Sequence, residues 1–146
     1  MRGVEEGVAR TRLEPDSEER FVPLRRLLGV TSFGFNQIVL QPGQRGRIHR
    51  HERQEEVYLV LEGELTLFVE GEESRLGAGE LIRVAPGVRR QLVNRSPDRL
   101  VLLALGAAGE HQGRDGEAFT SWGDHVGAPP VDVPLPADLS SDELRH

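Results

Sequence analysis

RIHRHERQEEVYLVLEGE, residues 47–64, places two histidines two positions apart and follows them with acidic residues and an apolar run typical of a β-strand. Side chains alternate between the faces of a strand, so His49 and His51 are predicted to point one way while Ile48 and Arg50 point the other way. A carboxylate from a neighbouring strand would complete a facial set of two nitrogens and one oxygen, which suits Fe(II), Mn(II), Ni(II), Zn(II) or Cu(II). The candidate carboxylates are Glu52, Glu55 and Glu56. Ordinary surface histidines remain the alternative at this level.

Composition restricts the class of protein. The 146 residues suit one domain, and the absence of cysteine excludes disulfides, thiol nucleophiles and zinc–thiolate sites, so any metal must use nitrogen and oxygen ligands. A net charge of -6 disfavours nucleic-acid binding. No apolar window is long enough to span a membrane, and residues 1–20 lack the features of a secretory signal, so we expect a cytoplasmic protein. All 18 basic residues are arginine, which indicates a GC-rich bacterial genome.

The hydrophobic pattern predicts an all-β fold. From Val30 to Gly106, about eight short β-type runs alternate with turn residues, which is typical of an antiparallel sandwich or barrel. Gly63 lies between two of these runs, and Val69 to Glu72 has the composition of a hairpin turn, so we expect neighbouring strands to pair in sequence order. The predicted organisation is an N-terminal arm at 1–20, a β-barrel at 21–106 and a C-terminal surface tail at 107–146. The tail is predicted to dock through Trp122, Val131, Val133 and Leu135.

Two segments of the barrel region carry fixed spacings. The first contains Gly43, His49, His51, Glu56 and Gly63; the second contains Gly79, Gly87 and Asn94. In order and separation they resemble the two conserved motifs of the cupin superfamily, over about residues 33–106. The resemblance implies a double-stranded β-helix, a jelly-roll-like barrel, in which His49, His51 and Glu56 bind a divalent metal. It also implies a homodimer, and the apolar segment 21–28 is expected at the interface.

The sequence departs from the resembled motif at one ligand position. Arg90 stands where the family has a fourth, histidine ligand, and an arginine offers no lone pair to a metal. Two interpretations remain open. Arg90 could bind the carboxylate or phosphate of a ligand beside a metal held by three residues, or it could pair with Glu56 and close a vestigial, metal-free site.

The predicted function follows from these residues. We expect a small, anionic molecule to bind in the barrel mouth, with or without a divalent metal, and the predicted contacts are Arg90, Arg47, Tyr58 and Asn94. The alternative is a metal-dependent enzyme of the dioxygenase or sugar or keto-acid isomerase type. Apart from Glu55 and Tyr58, the sequence offers no evident general acid or base for that chemistry.

Overall fold

The computed structural model describes residues 7–106 and 115–145. Ten strands and one short α-helix make up most of the regular structure. In chain order they are β1 (Phe21–Val22), α1 (Leu24–Leu28), β2 (Gly34–Leu40), β3 (Ile48–His51), β4 (Glu56–Glu62), β5 (Glu64–Val69), β6 (Glu72–Gly77), β7 (Leu81–Val84), β8 (Arg90–Val93), β9 (Leu100–Gly106) and β10 (Gly116–Phe119). Two 3-10 turns, Pro130–Asp132 and Ser141–Glu143, follow in the C-terminal segment.

The strands form two antiparallel sheets of five strands each. The first sheet has the order β1-β2-β9-β4-β7, and the second has the order β10-β3-β8-β5-β6. Strands β2 and β9, β3 and β8, β4 and β7, and β5 and β6 pair with one another. The chain is thus folded back on itself once, and the resulting double strand winds through both sheets. This confirms the predicted all-β, double-stranded β-helix.

Pairing in sequence order was expected for neighbouring strands. Among the described strands it holds for β1 with β2 and for β5 with β6, and it is wrong for the others, including β4 and β5. These strands are separated by Gly63 alone, but β4 lies in the first sheet and β5 in the second. Gly63 has a φ of 86°, which a glycine adopts without strain, and the chain changes sheets at this residue. Glu70 and Gly71, with φ of 49° and 84°, do form the predicted tight hairpin, between β5 and β6.

The core lies between the two sheets. Alternation on each strand directs one set of aliphatic side chains inwards, including Leu40, Val60, Leu65, Leu67 and Leu102, and each is at most 1% exposed. Tyr58 is buried in the same cluster. Because these side chains are buried and closely packed, the strands that carry them are held in place and give the site a rigid base.

The described parts of both terminal segments contact the sheets, and the C-terminal segment adds a strand to the second sheet. In the arm, the backbone of Glu14 exchanges two hydrogen bonds with the buried side chain of Gln37 on the first sheet. In the C-terminal segment, β10 pairs along the whole of β3, an element that the sequence did not predict. Val133 is buried as expected, but Val131 is 88% exposed, so the prediction that Val131 docks is wrong. Val131 lies in the 3-10 turn Pro130–Asp132, none of whose residues is buried.

None of the helices among residues 7–106 and 115–145 has the length and apolar character needed to cross a membrane.

Candidate metal site and cavity

His49 and His51 lie on the same face of β3. Their ring centroids are 5.4 Å apart, and the rings are nearly perpendicular. Arg50, between them, points to the other face and forms an ion pair with Glu117 of β10. The alternation of the strand therefore brings two imidazoles to one point between the sheets.

Glu56 completes a cluster of three donors. It is the first residue of β4, and it faces β3 from the opposite sheet. One ligand atom from each of His49, His51 and Glu56 lies within 4.8 Å of the others. Two imidazoles and one carboxylate at this separation form a donor set compatible with a divalent transition metal.

The environment holds these three groups in the protonation states that a metal requires. Burial, reinforced by the charge of Arg90, lowers the pKa of His49 from 6.5 to about 4. Burial also lowers the pKa of His51. Burial alone would raise the pKa of Glu56, but Arg90 and the two histidines outweigh it, so this pKa is lowered. At neutral pH the site therefore contains two neutral imidazoles and one carboxylate.

A backbone carbonyl fixes the tautomer of His49. Nδ1 of His49 lies 3.1 Å from the carbonyl oxygen of Arg47, which only accepts hydrogen bonds, so Nδ1 carries the proton. The lone pair is then on Nε2, the usual arrangement in a metal-binding histidine whose other nitrogen is held by a carbonyl.

Arg90 is buried on the other side of Glu56. It lies directly across from His49 in the β3–β8 pairing and is 0% exposed. Its guanidinium donates hydrogen bonds to Oε1 of Glu56 at 2.7 Å, to the hydroxyl of Tyr58 at 3.2 Å and to the carbonyl of Val88 at 2.9 Å. The guanidinium is thus engaged on three sides and is not among the residues that line the cavity. The contact with Glu56 is that of the second interpretation, and binding of a ligand anion by Arg90 stays a prediction.

The carboxylate of Glu56 is divided between two roles. Oε1 accepts hydrogen bonds from both Tyr58, at 2.6 Å, and Arg90. Among the described residues no hydrogen bond is made to Oε2, whereas Oε1, which lies 3.7 Å from Nε2 of His51, is already held by two donors. The residues therefore fit a metal with three protein ligands, although the nearby positive charge of Arg90 weakens its attraction to the site.

A cavity of about 240 Å³ opens beside the cluster. Its wall is largely apolar, and its polar residues are Asn36, Arg47, His49, His51 and Glu56. Sequence reasoning missed much of the lining, including Phe21, Asn36 and Pro130. The signal for Asn36 was present, because it alternates with the inward-facing Ile38 and Leu40 on β2. Phe21 and Pro130 come from outside the motif region and carried no such signal.

Of the other three predicted ligand contacts, two line the cavity and one does not. Arg47 lines the cavity, while its Nε donates a hydrogen bond to the carbonyl of Val133. Tyr58 also lines it, but its hydroxyl is directed at Glu56, and burial raises the pKa of this hydroxyl well above 10. Asn94 does not line the cavity. Its amide nitrogen binds the carbonyls of Leu40 and Asp98, and its oxygen accepts bonds from Ser96, so its side chain is used by the β8–β9 turn rather than by a ligand.

Comparison with known proteins identifies the family. The model of the cupin domain family, Cupin_2, matches residues 36–106. Tetracenomycin polyketide synthase protein TcmJ of Streptomyces glaucescens is 36% identical over 76 residues, which cover 51% of each chain. The chain therefore spans about half the length of this curated relative.

Solved structures agree with that match. A cupin-superfamily sugar phosphate isomerase from Silicibacter pomeroyi is 28% identical, with a TM-score of 0.58 over 61% of this chain and 59% of that one. A cupin protein from Bacteroides fragilis is 22% identical, with a TM-score of 0.62 over 76% of this chain and 95% of that one, and supports the fold alone. Together with the two motifs and the nested pairing of the strands, the family match shows that the chain contains a cupin domain, over residues 36–106.

Proposed function

We propose that this cupin binds one divalent transition metal through His49, His51 and Glu56 and holds a small, anionic molecule in the adjoining cavity. The observation that carries the proposal is the convergence of three donors within 4.8 Å, each in its metal-binding protonation state, at the wall of a cavity. The metal would be Mn, Fe, Ni, Zn or Cu, since nitrogen and carboxylate donors suit all five.

The cavity wall supports a ligand that is mostly apolar. Ile38, Leu40, Leu92 and Ala104 form much of it, and a volume of about 240 Å³ limits the ligand to a small molecule. The anionic group is assigned to the metal end of the cavity, where a divalent cation and Arg47 would both attract it. A sugar phosphate, the kind of substrate named for the Silicibacter pomeroyi relative, would present more hydroxyl groups than this wall can hydrogen-bond.

A binding role is favoured over catalysis by the surroundings of the cluster. Glu55 lies outside the cavity, 51% exposed and paired with Arg83, and the hydroxyl of Tyr58 keeps its proton. Among the described residues that line the cavity, therefore, only the proposed ligands could serve as a general acid or base, and metal binding would occupy them. A metal-dependent enzyme remains the second candidate, supported by the activity named for the isomerase relative.

The ion pair between Glu56 and Arg90 supports a third, metal-free function. The two groups are 2.7 Å apart and Arg90 is fully buried, so each charge can offset the other without help from a metal. In that case the cavity would bind its ligand through Arg47 and Asn36 alone.

Metal analysis separates these possibilities. Protein prepared without an affinity tag should be loaded with Mn, Fe, Ni or Zn, dialysed, and measured by elemental analysis and calorimetry. The proposal expects one metal per chain and loss of most of the affinity in His49→Ala and in His51→Ala. A wild-type protein that retains no metal above background contradicts it and leaves the metal-free alternative.

A thermal-shift assay on the metal-bound protein tests the ligand class. It compares small aliphatic and aromatic carboxylates with sugar phosphates, and Arg47→Gln is the variant that should lose the preference for carboxylates.

We further propose that two copies associate through the outer face of the first sheet. This face carries apolar residues where an exposed antiparallel sheet usually carries polar ones, namely Phe35, Val57, Leu59, Leu61, Leu81, Leu103 and Leu105. Leu81 is 62% exposed. Of the segment 21–28, Val22 and Leu24 are buried within their own chain, so Phe21, at 47% exposed, is the more available contact.

Light scattering tests this arrangement. The expected mass is twice the 16.2 kDa of one chain, and Leu81→Glu should reduce it towards the single-chain value. A wild-type mass equal to one chain at all concentrations contradicts the proposal.

A further inference from the structure

The ring of His51 has one nitrogen on each side of the site. Nε2 lies 3.7 Å from Oε1 of Glu56, on the side of the proposed metal. Nδ1 is buried and has no hydrogen-bond partner among the described residues. Leaving such a buried nitrogen unpaired destabilises the folded protein, so a partner close by is significant. Oδ2 of Asp115 lies 3.6 Å from Nδ1.

Asp115 is fixed against the turn that follows β3. Its Oδ1 accepts the N–H of Arg53 at 2.9 Å, and its Oδ2 accepts the N–H of Gln54 at 3.2 Å. Its backbone carbonyl accepts the N–H of Glu52. The carboxylate is only 11% exposed, and the next residue, Gly116, is paired with His51 in the sheet. The backbone therefore holds this carboxylate beside the imidazole.

We propose that Asp115 is a positioning residue of the metal site, whose carboxylate accepts a hydrogen bond from Nδ1–H of His51 and keeps the lone pair of Nε2 directed at the metal. This inference rests on the proposed function. The present separation exceeds a typical N–H···O distance by about 0.7 Å, so the proposal requires the ring and the carboxylate to approach each other by that amount. A carboxylate in this place fixes the tautomer of a metal-binding histidine and raises its basicity.

The two histidines are then oriented by different partners. The carbonyl of Arg47, on the same strand, holds His49. A side chain from the C-terminal segment, at the start of β10, holds His51. Docking of β10 along β3 thus supplies part of the site, and the C-terminal segment contributes to metal affinity as well as covering the sheet.

Asp115→Asn is the sharpest variant. With its oxygen on the N–H of Arg53, the asparagine loses the hydrogen bond from Gln54 and turns its amide group towards Nδ1 of His51. This favours the tautomer that carries the proton on Nε2, which has no lone pair there for the metal. The matched control is Asp124→Asn. Asp124 also lies in the C-terminal segment and accepts the N–H groups of Thr120 and Ser121, both at 3.2 Å. Like Asp115 it stabilises a turn, but it is not part of the metal cluster.

Two measurements test the proposal. Calorimetric titration of Ni(II) or Zn(II) into tag-free protein should show affinity reduced by about 10–100-fold in Asp115→Asn, with little change in Asp124→Asn. Nitrogen-15 NMR of the metal-free wild type should show the proton of His51 on Nδ1, and in Asp115→Asn a shift towards Nε2. Equal affinities in the two variants, or a wild-type His51 protonated on Nε2, would overturn the assignment. If the wild type binds no metal, the proposed function fails, but the tautomer of His51 still decides the role of Asp115. If Asp115→Asn does not fold, the tautomer measured in the wild type alone decides that role.

Discussion

Glu55 and Glu56 are neighbours in the chain and each pairs with an arginine, yet the two pairs lie on opposite faces of the first sheet. Arg83 and Glu55 form an ion pair on the outer face, with side chains 60% and 51% exposed. Arg90 and Glu56 form theirs between the sheets, with side chains 0% and 14% exposed. A change of one position in a β-strand moves a side chain to the other face, so the same residue types have different surroundings.

The comparison shows that burial, rather than residue type, decides what an ion pair does. Water screens the outer pair, and exposed pairs contribute about 0–1 kcal/mol to stability. The inner pair has little access to water, so each charge depends on the other and on Tyr58. The inner pair also stands beside His49 and His51, where it influences metal binding.

The largest expected effect comes from removing each arginine in turn. Arg90→Ala leaves Glu56 beside an empty space and removes three hydrogen bonds, so the free energy of unfolding should fall by about 3–5 kcal/mol. Arg83→Ala should lower it by less than about 1 kcal/mol. Urea denaturation of the metal-free proteins measures both, and similar losses in the two variants would contradict the difference drawn between the faces.

The two glutamates should differ as strongly in metal binding. Glu56→Gln removes the carboxylate charge from the cluster and should weaken Ni(II) or Zn(II) binding on the order of 100-fold or more, equivalent to about 2.7 kcal/mol. Glu55→Gln, one position away, should bind as the wild type does. Calorimetry gives both affinities. A Glu55→Gln variant that lost metal would mean that the outer carboxylate is the ligand.

Replacing the buried arginine by histidine should tighten metal binding. Arg90→His removes a positive charge next to Glu56 and places a third imidazole, as a fourth ligand, opposite His49, its partner in the sheet. We expect an increase in affinity of about tenfold or more, or at least about 1.4 kcal/mol. Titration of Mn(II) or Ni(II) into both proteins measures it, with Arg83→His as the control on the outer face. Equal or weaker binding in Arg90→His would show that residue 90 does not stand at a ligand position.

Much of this site could be predicted from the sequence because it depends on local rules. Alternation within one strand places His49 and His51 together, and the motif spacing selects Glu56 over Glu55. The same rules predicted the runs that became β2 to β9. They could not decide whether Arg90 faces a ligand or Glu56, because that depends on the distance between two strands of different sheets.

Other features depend on contacts between distant parts of the chain. The pairing of β2 with β9 joins residues about 60 positions apart, and no local pattern indicates such a partner. Strand β10 has only four residues, Gly116–Phe119, in a segment rich in glycine and proline, so its pattern was too short to recognise. The role of Asp115 could not be predicted either, because this residue reaches His51 only when β10 is paired with β3.

The smallest expected effect is a dependence of stability on pH that originates at the inner face. Between pH 6.5 and about 4, an unfolded histidine takes up a proton, whereas His49, with its pKa lowered to about 4, stays neutral in the folded protein. The unfolded state then binds more protons, so the free energy of unfolding should decrease as the pH falls through this window and recover above it. The lowered pKa of His51 acts in the same direction. Each histidine contributes at most about 1.4 kcal/mol per pH unit.

Urea denaturation of metal-free protein at pH 7.0 and pH 5.5 measures this loss of stability. The wild type should show it, and so should His125→Gln, a change at an exposed position of the C-terminal segment, whereas the loss should be smaller in His49→Gln. An unchanged pH dependence in His49→Gln would mean that His49 is not held neutral between the sheets.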